Sequence, residues 1–471
     1  MQQLSINAAN LGSVDFRHAH GVRYAYAAGS MVHGIASEQF VMRMARAKLL
    51  SYFGTGGLKL DRIEKAIVAI AAEAGADGPV GMNLLSNPER PEQEERTVEL
   101  FMARGVRRVE ASAFTHVTRS LVLYRVSGIA LDAKGQLQPP RLLQAKISRP
   151  EVAAQFLSPP PEKLLVRLVE EGRITATQAA LARRLAMADD ICVEADSGGH
   201  TDKQVASCVL PSILRLRDEL MTQHRFARRV RVGLAGGLGT PEAVAAAFVL
   251  GAEFVLTGSI NQCTVEAGTS DVVKDLLQRA EVQDTDMAPA GDMFEMGARV
   301  QVLKKGVFFP ARANKLYEVF KQYPSLDAID GETRAQLEGK ILKKSFEDVY
   351  REVSAYIAQR SSEELQRIEK NPKLKMARVF QWYFAKTNRD TIAGLEAEKI
   401  NFQIHCGPAM GACNRWLKGT RLEDWRQRHP DELADLLMRG AADVLAMRLR
   451  EFTISPAPAR VDVPNEARHV G

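Results

Sequence analysis

The stretch Arg231-Val-Gly-Leu-Ala-Gly-Gly-Leu-Gly-Thr-Pro-Glu242, followed after one helical segment by Gly251-Ala-Glu-Phe-Val-Leu-Thr-Gly-Ser259, decides the fold. Each piece reads as a short apolar strand, a turn of small residues and a helix start. Glycine lets the backbone approach an anion closely, and free N–H groups at a helix N-terminus favour a phosphate. Gly236, Gly237, Gly258 and Ser259 are therefore candidate phosphate-loop residues. The plainer alternative is that these glycines only shape tight turns.

The same unit recurs toward the N-terminus. Candidate strands are Val22–Ala27, Leu49–Phe53, Val80–Leu84, Val106–Glu110, Leu142–Ile147, Ile191–Ala195, Val230–Leu234 and Phe254–Leu256. Segments with helical spacing lie between most of them, among them Ser37–Lys48, Asp61–Glu73, Pro91–Arg104 and Pro241–Leu250. This alternation predicts an α/β protein with a parallel sheet, and eight such strands predict a closed (β/α)8 TIM barrel. Polar or glycine-rich turns follow the strand ends: Ala28-Gly29-Ser30, Gly54–Gly57, Asn83, Ser197–Thr201, Gly236–Thr240 and Gly258-Ser259. In a barrel that end is the catalytic face. Leu121–Leu131, with a turn at Lys134-Gly135, reads as a hairpin insertion. Beyond Asp271 the pattern turns helical over Asp271–Glu281, Asn314–Tyr323, Glu332–Ala358, Ser362–Glu369 and Asp431–Phe452, with few strand signals. The expected division is a barrel over 1–310, an additional helical insertion or lid over 311–455, and a Pro-rich, flexible tail over 456–471.

A length of 471 residues leaves room for two or three domains, or one large barrel with an addition. The 46% hydrophobic and 25% charged composition is that of an ordinary folded enzyme and excludes a disordered or fibrous chain. The five cysteines (Cys192, Cys208, Cys263, Cys406 and Cys413) are odd in number and lack C-x-x-C spacing, which argues against a disulfide framework or a zinc site. The opening MQQLSINAANLGSVDF lacks the basic and apolar regions of a signal peptide. The longest apolar stretch, Ala243–Leu256, is interrupted by Glu253, so no membrane span and a cytoplasmic location are expected. The net charge of +6 favours an acidic partner. Nucleic acid and an acidic carrier protein both qualify by charge, but no nucleic-acid motif is present.

Val193-Glu-Ala-Asp-Ser-Gly-Gly-His-Thr201 ends a strand, bends at Gly198 and Gly199, and presents His200 at the barrel mouth. An imidazole there can donate a hydrogen bond to a carbonyl or act as a general acid, and the glycines leave room for a flat ring. The bland reading is a histidine that orders the loop. Glu194 and Asp196 lack a histidine at ligand spacing, so no metal is expected. Asn83 offers a carboxamide that can donate to and accept from a ring edge. Lys146 can offset negative charge or polarise a carbonyl, and an ordinary ion pair is an equal alternative. His18, His20 and His33 read as surface or supporting groups.

The ordered set Ala28-Gly29-Ser30, Gly81-Met-Asn83, Ser197-Gly-Gly-His200, Ala235-Gly-Gly237 and Thr257-Gly-Ser259 resembles the nitronate monooxygenase superfamily. Its PfaD-type branch, FMN-dependent enoyl reductases of polyketide and polyunsaturated fatty acid synthases, is the more similar. The segments pointing there include Arg107–Phe114, Ala145–Val152, Glu194–Asp202, Gly268–Asp271, Ala313–Tyr317 and Cys406-Gly-Pro-Ala-Met-Gly411. The resemblance runs from Gly29 to Arg450. It implies an FMN barrel acting in trans on enoyl thioesters carried by an acyl carrier protein, within a polyketide or fatty acid synthase, with NADPH as electron donor. His200 falls on the active-site histidine, Gly236, Gly237, Gly258 and Ser259 on the FMN phosphate loops, and Asn83 on the flavin-contacting asparagine. Lys146 matches the PfaD-type pattern only. Ala28-Gly29-Ser30 stands where many relatives carry a proline–methionine pair. A nitronate-type monooxygenase and a non-catalytic synthase subunit are the alternatives. Neither a membrane nor nucleic acid is an expected partner, and a homodimer is left open.

Overall fold

The computed structural model describes residues 6–75, 77–88 and 90–454, and the tail assigned to 456–471 lies outside them. Eight parallel strands close into a barrel: β1 (Tyr26–Ala28), β2 (Leu50–Phe53), β3 (Val80–Leu85), β4 (Arg108–Ser112), β5 (Leu142–Ile147), β6 (Asp190–Glu194), β7 (Arg231–Ala235) and β8 (Val255–Thr257). Each pairs with its neighbours in sequence, and β1 closes the ring on β8 through Tyr26↔Val255 and Ala28↔Thr257. The fold is therefore the TIM barrel expected.

Side chains alternate across each strand. Val109, Ala111, Leu143, Ala145, Ile191, Val193, Val232 and Leu234 belong to the main core shared with the surrounding helices. The alternate positions, Arg108, Glu110, Gln144, Lys146, Asp190, Glu194 and Arg231, therefore face the barrel interior, which is unusually rich in charge. Buried charges persist only when paired. At the strand N-termini Arg231 reaches Asp190 at 2.6 and 2.8 Å, and His20 Nε2 lies 2.9 Å from Asp190. Burial alone would raise the Asp190 pKa, but Arg231 and His20 hold this carboxyl well below the usual range. Phe16 stacks on Phe254 at 4.4 Å beside this cluster.

Two regions differ from the sequence reading. Leu121–Val126 is helical, within Arg119–Val126, and only Ala130–Leu131 pairs with Leu137–Gln138 as a hairpin. Thr118 caps that helix, and Leu121, Leu123 and Val126 are buried on all sides. A short run that is apolar all round has no periodicity to tell helix from strand. Second, β9 (Thr285–Pro289) and β10 (Arg299–Leu303) pair antiparallel, and β10 also takes up the two-residue strand Gly199–His200. Both are five residues long and too short for alternation to stand out.

This small sheet and the helices Phe309–Gln322, Phe346–Ala358 and Pro372–Ala393 enclose a second core around Phe294, Phe309, Leu316 and Phe380. The expected helix Glu332–Ala358 is broken: Lys343 turns left-handed (φ 58°) and Ser345 caps a new helix. From Phe402 onward the chain returns to the barrel, and Phe402, Ile404, Met410, Leu433 and Leu437 join its core. The final helix, Pro430–Ile454, packs along Pro241–Val249. Among the described residues no helix is long and apolar enough to cross a membrane.

Candidate active site

A cleft of about 590 Å³ opens at the C-terminal ends of the strands. Gly29, Ser30, Lys146, Gly198, Gly236, Gly237, Gly258 and Ser259 all line it, so eight of the sequence candidates meet at one place. Glu194, Asp196, Gln262, Gly407 and Ala409 line it as well and were not expected as site residues. Ala28, Asn83, Gly199 and His200 stand behind or beside its wall.

The cleft has the properties of an anion cradle. Gly237 has φ +73°, and a Cβ built on it or on Gly258 would meet no atom within 4 Å, so both open into the cleft. Among the described residues the N–H groups of Gly237 and Gly258 donate to no other backbone group. The Pro241–Val249 helix begins just beyond the first turn, capped by Thr240. A short 3-10 helix, Ser259–Cys263, begins at the second. The space left by two glycines, free N–H groups and two helix starts fit a phosphate. The far wall comes from the C-terminal part of the chain. Gly407 N–H donates to Ser259 Oγ at 2.9 Å, and a Cβ on Gly198 would lie 2.8 Å from both the Gly407 nitrogen and that oxygen. Only glycine at 198 lets these segments touch.

Under the cradle lies a charged floor. Lys146 Nζ is 3.1 Å from Glu194 Oε1, which also accepts from Ser197 Oγ at 3.1 Å. Burial opposes the charge on Lys146, but Glu194 and Glu110 outweigh it and hold the ammonium firmly protonated. Glu110 is fully buried. Its Oε2 accepts from Ser30 N–H at 3.2 Å and from the Ser30 hydroxyl. Asn83 Nδ2 donates to the Glu110 carbonyl at 3.1 Å and to Ser112 Oγ at 3.0 Å, which occupies its amide within the wall. Glu110 Oε1 has no partner, and burial pushes this carboxyl's pKa up despite Lys146. An orphaned buried oxygen beneath a cleft marks a place where a bound group or water completes the bonding.

His200 sits on the rim, 36% exposed, with Nε2 3.0 Å from Asp292 Oδ1 in the β9–β10 turn. Burial would lower the His200 pKa, yet Asp292 outweighs it and raises the value. His405, the next histidine along the wall, is pushed down to about 4 by burial and the nearby His200 charge. Gln301 holds the loop between them, donating to Asp196 Oδ1 at 2.7 Å and to the Ser197 carbonyl at 2.8 Å. His33, beyond the β1 turn, meets Asn388 of the helical unit at 2.6 Å.

Parity along β4 and β6 could have singled out Glu110 and Glu194, since they share the inward phase of Arg108 and Asp190. Asp292 and Gln301 carried no signal of this kind.

A parallel barrel with a glycine cradle over a buried lysine–carboxylate floor defines a flavin-type oxidoreductase. The family model described as nitronate monooxygenase matches residues 17–306, and the one described as acyl-carrier-protein S-malonyltransferase, inserted helical domain, matches 323–402. The chain belongs to the nitronate monooxygenase family, in its PfaD-type enoyl-reductase branch. It is 51% identical to polyketide biosynthesis protein PksE of Bacillus subtilis over 96% of this chain and 58% of that protein. It is 52% identical to polyketide biosynthesis protein ThaF of Burkholderia thailandensis over 93% and 37%. The chain thus spans less than two thirds of these relatives. The crystal structure of the enoyl reductase domain of MlnA, from the macrolactin cluster of Bacillus amyloliquefaciens, superposes with a TM-score of 0.91 at 42% identity, covering 94% of this chain and 99% of that one. FabK of Thermotoga maritima, at 15% identity and a TM-score of 0.57, shares the fold.

Proposed function

We propose that the protein is a trans-acting enoyl reductase that uses FMN and NADPH to saturate an α,β-unsaturated thioester presented by an acyl carrier protein, in the cytoplasm, as part of polyketide or polyunsaturated fatty acid synthesis. The observation that carries this reading is the meeting in one cleft of a phosphate cradle at Gly237 and Gly258 with the Lys146–Glu194 pair, beside which the loop from Ser197 brings the His200–Asp292 pair. The cradle would hold the FMN phosphate through backbone N–H groups. FMN, when bound, supplies hydride chemistry to the β-carbon.

The chain's own residues do the rest. Negative charge develops on the thioester oxygen as the β-carbon is reduced, and a preorganised donor there lowers the barrier. His200, whose affinity for its proton Asp292 raises, is the donor at the rim and the source of the α-proton. Lys146 holds positive charge at the cleft floor. The helical unit, touching the barrel rim at His33–Asn388, limits water at the mouth. In this reading residues 1–310 form the flavin barrel and 311–455 the helical region, whose last part also serves the barrel core.

The test is anaerobic stopped-flow at the flavin band. Bleaching by NADPH, followed by recovery with a crotonyl-type thioester on a carrier protein, is expected. The family match to nitronate monooxygenase favours one competing outcome, recovery only when oxygen is admitted. That result, or a protein that takes up no FMN, would replace the enoyl-reductase reading.

A further inference from the structure

The excess positive charge of this protein has an address. The eight loops that enter the barrel strands at their N-terminal ends hold eleven Lys/Arg against four Asp/Glu, a net +7 where the whole chain carries +6. The remainder of the chain, taken together, is therefore nearly neutral.

Two adjoining clefts of about 350 and 470 Å³ indent this face and share Pro139 and Arg228. Six arginines line them: Arg107, Arg108, Arg125, Arg184, Arg228 and Arg229. The single lining carboxylate, Asp189, is buried and already paired with Arg125 at 2.6 Å. Arg184 and Arg228 are exposed and have no ion-pair partner among the described residues. Arg108, by contrast, is 6% exposed and its guanidinium already donates to the Gly78 and His20 carbonyls, so the exposed Arg184 and Arg228 are the groups placed to receive an acceptor. Between the arginines the cleft walls are apolar, formed by the largely buried Pro139, Leu137, Leu185 and Phe226.

We propose that this face docks an acidic, amphipathic segment of a partner protein, whose carboxylates meet Arg184 and Arg228 while an apolar side chain seats against Pro139. Nucleic acid fits less well. Its single strands need exposed aromatic platforms, and the one aromatic here, Phe226, is 9% exposed. The face lies at the opposite end of the barrel from the cradle, so a partner can stay bound while substrate enters. The site is thus a tether, and it stands or falls independently of enoyl reduction.

Fluorescence anisotropy of the full chain with a labelled Glu/Leu peptide of helical spacing tests this. The expected result is saturable binding, weakened about tenfold or more by the double variant R184E/R228E and by raised salt, since both act on the same charges. Polyglutamate of equal charge, lacking the apolar groups, is expected to bind at least about tenfold more weakly. The circular dichroism spectrum and melting temperature of the variant should match those of the unmodified chain, which shows that it folds. Unchanged peptide binding by the variant overturns the proposal. So does equal binding of polyglutamate, which would mark a nonspecific cation field, or tighter binding of an oligothymidylate, which would mark a nucleic-acid surface.

Discussion

Asp292 Oδ1 lies 3.0 Å from Nε2 of His200, and the two come from opposite sides of the junction between the small sheet and the barrel loop. The carboxylate raises the imidazole pKa above its usual 6.5, and the imidazolium holds the carboxyl below its usual 3.8. An acid that must be protonated loses activity as pH rises through its pKa. In Asp292→Asn the alkaline limb of the rate profile should therefore move to lower pH, because burial then acts on the imidazole with less opposition. The same shift should appear in an NMR titration of His200, which a purely structural role for Asp292 would leave in place.

The pair also links stability to pH. The raised histidine stabilises the fold fully below 6.5, and this is lost as pH rises through its folded value. The depressed aspartate stabilises above 3.8, and this is lost as pH falls through its folded value. The contribution is thus greatest between those limits. Urea denaturation midpoints of wild type and Asp292→Asn should differ most near pH 5 and converge as pH rises through the folded-state pKa of His200.

Two neighbouring glycines should fail in different ways. Gly258→Ala places its methyl where the cleft is open, so the protein should fold normally and lose FMN affinity by about tenfold or more. In Gly239→Ala the methyl would lie 2.1 Å from the Ala409 carbonyl oxygen, and the expected loss is stability, about 1–3 kcal/mol. Equilibrium FMN titration and calorimetry of the flavin-free proteins separate the two. Equal FMN binding by Gly258→Ala would show that the Gly258 turn does not hold the phosphate.

Lys146→Met removes the cation between Glu194 and Glu110. If Lys146 offsets charge on the reacting system, kcat should fall by about 10²–10³ while circular dichroism stays native. A fall in stability with no change in kcat would assign it to an ordinary ion pair.

Glu110→Ala would leave the Ser30 N–H and hydroxyl without their acceptor beneath the cleft. The expected cost is about 1–3 kcal/mol, read by chemical denaturation.

The eight barrel strands were legible because each is a short apolar run ending in a glycine or polar turn, and the turns alone name most of the cleft. Strand parity points Glu110 inward, but its role was not legible, because that comes from Ser30, which lies 80 positions away in sequence. Asp292 belongs to a sheet whose strands are too short for periodicity. Gly407 and Ala409 lie in the segment Cys406–Gly411, which carries the family resemblance but falls between the expected helices of the 311–455 region, and nothing local says that the chain returns to the barrel there. Leu121–Val126 was misread because complete burial erases the phase that separates the two periodicities.

That return of the chain has a consequence for how the protein is made. The last strand, Val255–Thr257, leaves the ribosome well before Leu433, Leu437 and Ala441, which finish the packing around it. At about 5–20 residues per second, the interval is roughly 10–40 seconds. Throughout it the helix Pro241–Val249 shows the apolar flank that Pro430–Ile454 will cover. A ribosome stalled anywhere in the helical unit therefore carries a barrel with all its strands and an open side, which makes the nascent chain a natural client for chaperones.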